Sequence, residues 1–186
     1  MFTPTIIPLE DIRDEAILII DVDYRSDHAI VSGILIQDWS SSECAVVNVR
    51  VDEVEAYEPG SFYKRELPCI QRLLTTIEVM APSLELGFIV IDGYVHLGEN
   101  FTKPGLGAYL NNFLGGEIPI IGVAKTYFRG VPDETRLFRQ GSTSPLFITG
   151  VGIDQAEARN KIAGMHGVFR LPSMLKYVDQ CCRNHP

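Results

Sequence analysis

The sequence has few cysteines, no long hydrophobic run and no surplus of basic residues, and each absence excludes a class of protein. Its 4 cysteines include no CxxC pair, so neither a disulfide framework nor a cysteine-based zinc site is indicated. No stretch approaches the ~20 consecutive apolar residues of a membrane-spanning helix, and no membrane partner is expected. Because 24 acidic residues outnumber 16 basic ones, bulk charge does not favour non-specific binding to nucleic acid.

Composition and length are those of a globular domain. Hydrophobic residues make up 46% of the 186 positions and charged residues 22%, which excludes a disordered chain and predicts one domain over residues 1–186. The first residues, Met1-Phe2-Thr3-Pro4, lack the basic and then apolar layout of a signal peptide. We therefore expect a cytoplasmic protein with reduced thiols. The sequence leaves the oligomeric state open, and a monomer is the simplest expectation.

Charge is unevenly divided along the chain. Residues 1–100 contain 6 basic and 18 acidic side chains, whereas residues 101–186 contain 10 basic and 6 acidic ones. An acidic half can hold metal ions, and a mildly basic half can bind phosphates. Uneven solvation of two faces would produce the same asymmetry, so charge alone does not decide between these interpretations.

The spacing of apolar residues predicts an α/β fold, with a mixed sheet covered by helices on both faces. Three β-rich segments are separated by turn signals and predict an antiparallel meander, over residues 16–22, 29–37 and 43–51. Helical spacing extends over residues 62–80, where Pro68 would lie in the first turn or kink the helix. Further strands are predicted at residues 87–91, 118–124 and 144–151, and further helices at 105–114, 154–165 and 171–182.

In three of these strands a charged residue directly follows the buried apolar run: Asp21 follows residues 17–20, Asp92 follows 88–91 and Lys125 follows 120–124. In open α/β sheets, ligands bind outside the carboxyl ends of parallel strands, so these side chains are predicted to converge on one site. The alternative is that each is a turn or cap residue, which is the usual role of a single Asp after a strand.

Glu66 continues the apolar helical face of Ile70 and Leu74. A carboxylate on a buried face is costly unless it is paired, protonated or bound to a cation. An ion pair with Arg65 or Lys64 is therefore one interpretation of Glu66, and a metal site is the other.

Asp21, Glu66 and Asp92 together offer the carboxylate oxygens that Mg²⁺ or Mn²⁺ prefers, and such a cation can bridge phosphate oxygens. Lys125 would supply a fixed positive charge for a phosphate or a nucleophilic water. Asp23 shares the strand face of Asp21 by the two-residue period, and it is either a substitute ligand or a solvated turn residue. The four histidines show no zinc-ligand spacing.

The segment Asp21-Val22-Asp23, after four apolar residues, also resembles the first motif of the haloacid dehalogenase-like phosphatases. In that family the first Asp is the nucleophile and the second an acid or base. However, Arg25 stands where that motif has Thr or Val, and no paired late acidic residues match. This phosphatase interpretation is the weaker alternative.

A second resemblance extends over most of the chain. Tyr57-Glu58-Pro59-Gly60, leading into Phe62-Tyr63-Lys64-Arg65-Glu66-Leu67-Pro68, resembles endonuclease V, the repair nuclease that acts on deaminated purines. Each motif alone would be weak, but together they follow the family's order and the combined match is specific. The later motifs are Ile91-Asp92-Gly93, Gly105-Leu106-Gly107-Ala108, Ile120-Ile121-Gly122-Val123-Ala124-Lys125 and Arg170-Leu171-Pro172.

The resemblance implies an RNase H-like fold and a metal-dependent nuclease. It assigns the metal-binding carboxylates to Asp21, Glu66 and Asp92, with Mg²⁺ as the cation and Mn²⁺ as its substitute. It gives Lys125 a catalytic or phosphate-contacting role. The implied reaction is hydrolysis of the second phosphodiester 3′ to inosine, in DNA or RNA, which leaves 3′-hydroxyl and 5′-phosphate ends.

The resemblance also implies how substrate is bound. Tyr57 and Pro59 would belong to the wedge that separates the strands beside the lesion, and Gly60 lies in the same segment. The family reads Asp-Gly-His-Gly where this chain has Tyr94 after Asp-Gly. We expect His96, from a loop about two residues longer, to substitute for that histidine. The modified base must leave the stack to be recognised.

The leading hypothesis is therefore a metal-dependent endonuclease. The alternative from another class is a nucleic-acid-binding homologue with altered or lost catalysis. Tyr109 and Val151 stand where the family has histidines and favour that alternative, whereas retention of all three carboxylates favours catalysis.

Overall fold

The computed structural model describes residues 2–52, 54, 58 and 60–185. Within them the chain forms ten strands and four α-helices, and none of these helices is long and apolar enough to cross a membrane. The strands are β1 (Thr5–Ile6), β2 (Ala16–Tyr24), β3 (Ala29–Ile36), β4 (Glu43–Val51), β5 (Leu86–Asp92), β6 (His96–Leu97), β7 (Lys103–Pro104), β8 (Ile120–Ala124), β9 (Arg136–Leu137) and β10 (Leu146–Val151). The helices are α1 (Phe62–Met80), α2 (Leu106–Phe113), α3 (Gln155–Ala163) and α4 (Ser173–Asn184).

Eight of the strands in the described residues form one mixed sheet, in the order β1-β4-β3-β2-β5-β8-β10-β9. Strands β2, β3 and β4 form the predicted antiparallel meander, since short turns join them. Strand β5 pairs in parallel with β2, and β8 pairs in parallel with β5. Helix α1 lies in the first connection and α2 in the second, and each returns the chain to the end of the sheet where the previous strand began. Strand β10 pairs antiparallel with β8. The predicted mixed α/β fold is confirmed.

Helices cover both faces of this sheet, as predicted. Leu18 and Ile20 of β2 belong to the core beneath α1 and α2. Ile17 and Ile19 belong to the second core, beneath α3 and α4. The alternation follows from the two-residue period of a strand, and it explains why β2 reads as an unbroken apolar run.

Strand β2 extends two residues further than predicted, to Tyr24, and so includes Asp23. Its pairing with β3 continues to Tyr24, which is opposite Ala29, whereas its pairing with β5 ends where Ile20 meets Ile91. Asp21 lies inside β2, within the predicted bounds of the strand, at the position where the pairing with β5 has ended.

The helix boundaries follow local capping chemistry. Helix α1 has the predicted bounds, so Pro68 lies inside it and not in its first turn. Asp154 caps α3 as predicted, by accepting hydrogen bonds from the backbone N–H groups of Ala156 and Glu157. Helix α4 begins directly after Pro172, two residues later than predicted. Strands β1, β6, β7 and β9, of two residues each, were not predicted.

Candidate active site

Three adjacent parallel strands carry charged residues to one end of the sheet. Asp21 lies in β2 just beyond its pairing with β5, Asp92 is the last residue of β5, and Lys125 follows the last residue of β8. Glu66 reaches the same end from α1, which packs on the sheet. All four residues line one open cleft of about 460 Å³. The structure thus brings together the four residues that the sequence singled out, and their roles stay predictions.

Asp21 is surrounded by features that oppose its ionisation. Burial, followed by the charge of Asp92, raises the pKa of Asp21 from 3.8 to about 7, and Asp179 adds to this. Two effects act in the opposite direction: the backbone N–H of Val22, which donates to Asp21 Oδ1 at 2.9 Å, and the charge of Lys125. The effects that raise the pKa prevail, so the metal-free Asp21 carboxyl is mainly protonated below neutral pH.

Glu66 is the most deeply buried acid of the site, with 7% of the residue exposed. Burial, and then the charges of Asp21 and Asp92, raise the pKa of Glu66 to about 8, although Arg65 opposes this. Its Oε2 has no hydrogen-bond partner among the described residues. Buried polar atoms are rarely left in that state, so this oxygen is a candidate contact for a ligand.

The ion-pair interpretation of Glu66 is not supported. Lys64 Nζ pairs with Glu58 at 2.7 Å, and the Arg65 guanidinium lies 3.8 Å from the centre of the Tyr24 ring. Within the described part of the chain, neither base forms an ion pair with Glu66. The helix therefore holds a buried carboxylate without the paired charge that its burial ordinarily requires.

Lys125 holds a positive charge at the cleft wall. Its Nζ pairs with Asp92 Oδ2 at 2.5 Å. Burial lowers the pKa of Lys125, but the hydrogen bond and charge of Asp92 outweigh burial and leave that pKa raised. Arg170 fixes the backbone beside it, by donating from its guanidinium to the carbonyl oxygens of Lys125 and Pro145.

Helix α4 contributes residues that sequence reasoning missed. Asp179 and Arg183 line the cleft and pair with each other at 2.9 Å. The Cys182 thiol donates to the backbone carbonyl of Asp21 at 3.0 Å. The i, i+4 spacing of Asp179 and Arg183 is a visible signal of an ion pair along a helix. This spacing does not reveal that the helix lies beside β2.

Asp23 lies in β2, so its interpretation as a solvated turn residue is wrong. It lines the cleft and accepts a hydrogen bond from Arg25 Nε at 3.3 Å. Arg25 also donates to the carbonyl oxygens of Cys182, Arg183 and His185, at the end of α4. Asp23 and Arg25 therefore help to hold α4 beside the cleft, and a ligand role for Asp23 stays a prediction.

A second cavity, of about 220 Å³, opens beside the cleft. Phe62 and Tyr63 provide aromatic rings to its lining, and Glu66, Asp92 and Tyr94 line both cavities. The two spaces are therefore neighbours, with the carboxylates at their junction. An aromatic cavity beside a carboxylate cleft can bind a flat ring while the cleft binds a phosphate.

The structure places only some of the predicted substrate-binding residues at the two cavities. Gly60 lines the second cavity. His96 lies in β6 and, within the described residues, lines neither cavity, whereas Leu97 lines the second. Successive residues of a strand point to opposite sides, so the structure does not bring His96 to the site. Tyr57 and Pro59 lie outside the described residues.

The donor set fits a hard divalent cation. Asp21, Glu66 and Asp92 face one cleft. The charge of Asp92 raises the pKa of both Asp21 and Glu66, and a bound cation would relieve that repulsion. The partnerless Oε2 of Glu66 is available to it among the described residues. In this same part of the chain, however, no group of three or more Asp, Glu, His or Cys side chains is arranged so that it could hold a metal ion, and Asp92 is paired with Lys125.

These surroundings predict a pH-dependent stability of the metal-free protein. The pKa of Glu66 is about 8 when folded and 4.5 ordinarily, and that of Asp21 about 7 against 3.8. The unfolded chain therefore binds fewer protons than the folded chain between pH 4.5 and 8, and the free energy of unfolding should fall as pH rises through this range. At about 1.4 kcal/mol for each pKa unit, either group alone would contribute a loss on the order of 5 kcal/mol.

Urea unfolding in EDTA, at pH 5, 6, 7 and 8, measures this dependence. Glu66→Gln should flatten the fall in stability, because the amide does not ionise. Glu78→Gln, on the exposed side of the same helix, is the matched control and should keep the wild-type slope. An equal slope in Glu66→Gln and the wild type would contradict the prediction.

Comparison with known proteins identifies the family to which this site belongs. The family model for endonuclease V matches residues 6–185. The chain belongs to the endonuclease V family. Endonuclease V proteins are metal-dependent nucleases, so family membership makes nucleic acid the partner and favours the nuclease over the phosphatase interpretation of Asp21. No curated protein sequence matches the chain.

Solved endonuclease V structures share the fold. Human ENDOV is 20% identical, with a TM-score of 0.73 over 92% of this chain and 84% of that one. Endonuclease V from Ciona intestinalis has been solved in complex with a 24-mer DNA containing an inosine followed by a ribo-adenosine. It is 16% identical to this chain, with a TM-score of 0.71 over 94% of this chain and 92% of that one. The *Bacillus subtilis* endonuclease V is 19% identical, with a TM-score of 0.65 over 98% and 84%. The RNase H-like fold implied by the sequence motifs is thus confirmed.

Proposed function

We propose that the protein is an endonuclease that requires Mg²⁺ or Mn²⁺ and hydrolyses a phosphodiester 3′ to inosine in DNA or RNA. The observation that carries this proposal is the convergence of Asp21, Glu66, Asp92 and Lys125 on one cleft, with a buried Glu66 oxygen that lacks a partner among the described residues. The *Ciona* relative, bound to inosine-containing DNA, supports the choice of base.

Each residue has a separate task in this proposal. Asp21, Glu66 and Asp92 hold the cation, which when bound supplies charge stabilisation at the phosphate and activates a water. Lys125 keeps its ammonium group at the cleft wall, where it can contact a phosphate oxygen. Asp179 and Arg183 also line the cleft and so limit where the backbone of the substrate can lie.

The second cavity is the proposed binding site for the deaminated base. A base must leave the stack before an enzyme can read it, and the rings of Phe62, Tyr63 and Tyr94 offer apolar faces to a flat heterocycle. Because Glu66 and Asp92 line both spaces, a base in the cavity would bring the adjoining backbone to the carboxylates. Tyr57 and Pro59 are proposed to separate the strands.

A nicking assay with four substrates tests the function. Purified protein with Mg²⁺ or Mn²⁺ should nick DNA and RNA strands that contain inosine, and it should leave matched strands without inosine intact. EDTA should abolish nicking. Cleavage of all strands alike would retain the nuclease but contradict base specificity. Tight binding without cleavage in either metal would contradict the nuclease and favour the binding homologue.

A further inference from the structure

Tyr94 links two loops of the site through its hydroxyl group. It donates a hydrogen bond to the carbonyl oxygen of Thr126 at 2.8 Å and accepts one from the backbone N–H of Phe128 at 3.2 Å. Its ring also meets those of Phe128 and Phe147, with centres 6.3 Å and 6.5 Å away. One phenol therefore joins the loop after β5 to the loop after β8.

The loop after β8 carries Lys125 and is exposed to solvent. Residues 125–129 are all exposed. An exposed loop with few buried contacts is held mainly by its hydrogen bonds. Arg170 supports the carbonyl of Lys125, and Tyr94 supports the next carbonyl and the amide two residues further on.

These bonds form a closed ring of links around the candidate catalytic groups. The chain runs from Asp92 to Tyr94, the Tyr94 hydroxyl reaches Thr126, and Lys125 returns through its ammonium group to Asp92. A change at any link alters where the Lys125 ammonium stands relative to the carboxylates.

We propose that Tyr94 is a positioning residue for phosphodiester hydrolysis, which acts by holding the 125–128 loop so that Lys125 faces the scissile phosphate. This inference rests on the proposed nuclease function. A small misplacement of a catalytic group costs rate more than binding, so the effect belongs in kcat rather than in KM.

Tyr94→Phe tests the proposal, because it keeps the ring and removes only the hydroxyl. Tyr127→Phe is the matched control: the Tyr127 hydroxyl lies in the same loop and accepts a hydrogen bond from the Gly130 N–H at 3.1 Å. Amide hydrogen exchange of the metal-free proteins measures whether the Tyr94 hydroxyl holds the 125–128 loop. Single-turnover and steady-state nicking measure the effect of this contact on the reaction.

In Tyr94→Phe, the Phe128 amide should exchange about tenfold faster, since its hydrogen-bond acceptor is gone. The value of kcat should fall about tenfold while KM stays within about twofold. Tyr127→Phe should speed exchange of the Gly130 amide and leave kcat unchanged.

Two results would overturn the proposal. An unchanged exchange rate of the Phe128 amide in Tyr94→Phe would show that the Tyr94 hydroxyl does not hold the loop, whatever the activity of the variant. Faster exchange with an unchanged kcat, or an equal loss of kcat in Tyr127→Phe, would contradict a positioning role. If the wild-type protein nicks no substrate with either metal, the proposed function fails. The exchange measurement then still decides whether the Tyr94 hydroxyl holds the 125–128 loop.

Discussion

Asp92→Asn is expected to lower kcat for nicking at least about 10³-fold. In the proposed function Asp92 binds the metal ion, and loss of that carboxylate would remove several kcal/mol of charge stabilisation from the transition state. Asp92 lines both the cleft and the aromatic cavity and pairs with Lys125. The amide keeps the size of the side chain and loses its charge. Titration of Mn²⁺ by electron paramagnetic resonance should show a matching loss of affinity.

The fold of Asp92→Asn should survive. The Asp92 side chain is 36% exposed, and its ion pair with Lys125 contributes little at such a position. Loss of its charge also relieves the repulsion that raises the pKa of Asp21. The thermal midpoint should therefore stay close to that of the wild type.

Asp38→Asn is the matched control, since it makes the same chemical change at an exposed position in the turn between β3 and β4. It should alter neither nicking nor Mn²⁺ affinity. An Asp92→Asn protein that retains more than about a tenth of wild-type kcat would remove Asp92 from the catalytic set.

Gly122→Ala is expected to destabilise the fold by about 3 kcal/mol and to lower kcat about 10²-fold. Gly122 lies inside β8, where a Cβ atom would stand 2.5 Å from the carbonyl oxygen of Gly93, 2.8 Å from the Val95 nitrogen and 2.9 Å from Thr149 Oγ1. Two of these contacts are with backbone, which cannot rotate away. The loop that follows Asp92 must therefore shift.

Gly164→Ala is the control for this substitution. Gly164 follows α3 in a right-handed conformation, with φ of −76°, and the nearest atom to an added Cβ lies 3.5 Å away. Urea unfolding and nicking assays should find it close to wild type in both respects. A Gly122→Ala protein with unchanged stability would show that the loop has more freedom than the distances imply.

Sequence reasoning located the elements whose signals are local. Helix α1 has its predicted bounds because apolar residues recur at helical spacing over its whole length. The meander of β2, β3 and β4 was predicted because turn residues separate three apolar segments. Asp21, Asp92 and Lys125 were found because each stands at a change from buried strand to charge.

Other features have no local signal. Strands β1, β6, β7 and β9 have two residues each, too few for a period to be visible. The extension of β2 to Tyr24 depends on its pairing with β3 rather than on its own residues. The position of His96 outside both cavities depends on which face of a two-residue strand meets the cleft.

The sequence by itself determined the α/β class, the order of the main elements and the motif residues of an endonuclease V, since periodicity and motif spacing depend on neighbours along the chain. Only the tertiary structure decided that α4 places Asp179 and Arg183 at the cleft, that Glu66 Oε2 has no partner within the described residues, and that Tyr94 ties the loop of Lys125. These features depend on residues that lie dozens of positions apart in the chain. Strand order and helix packing bring such residues together, and neither leaves a local pattern in the sequence around each residue.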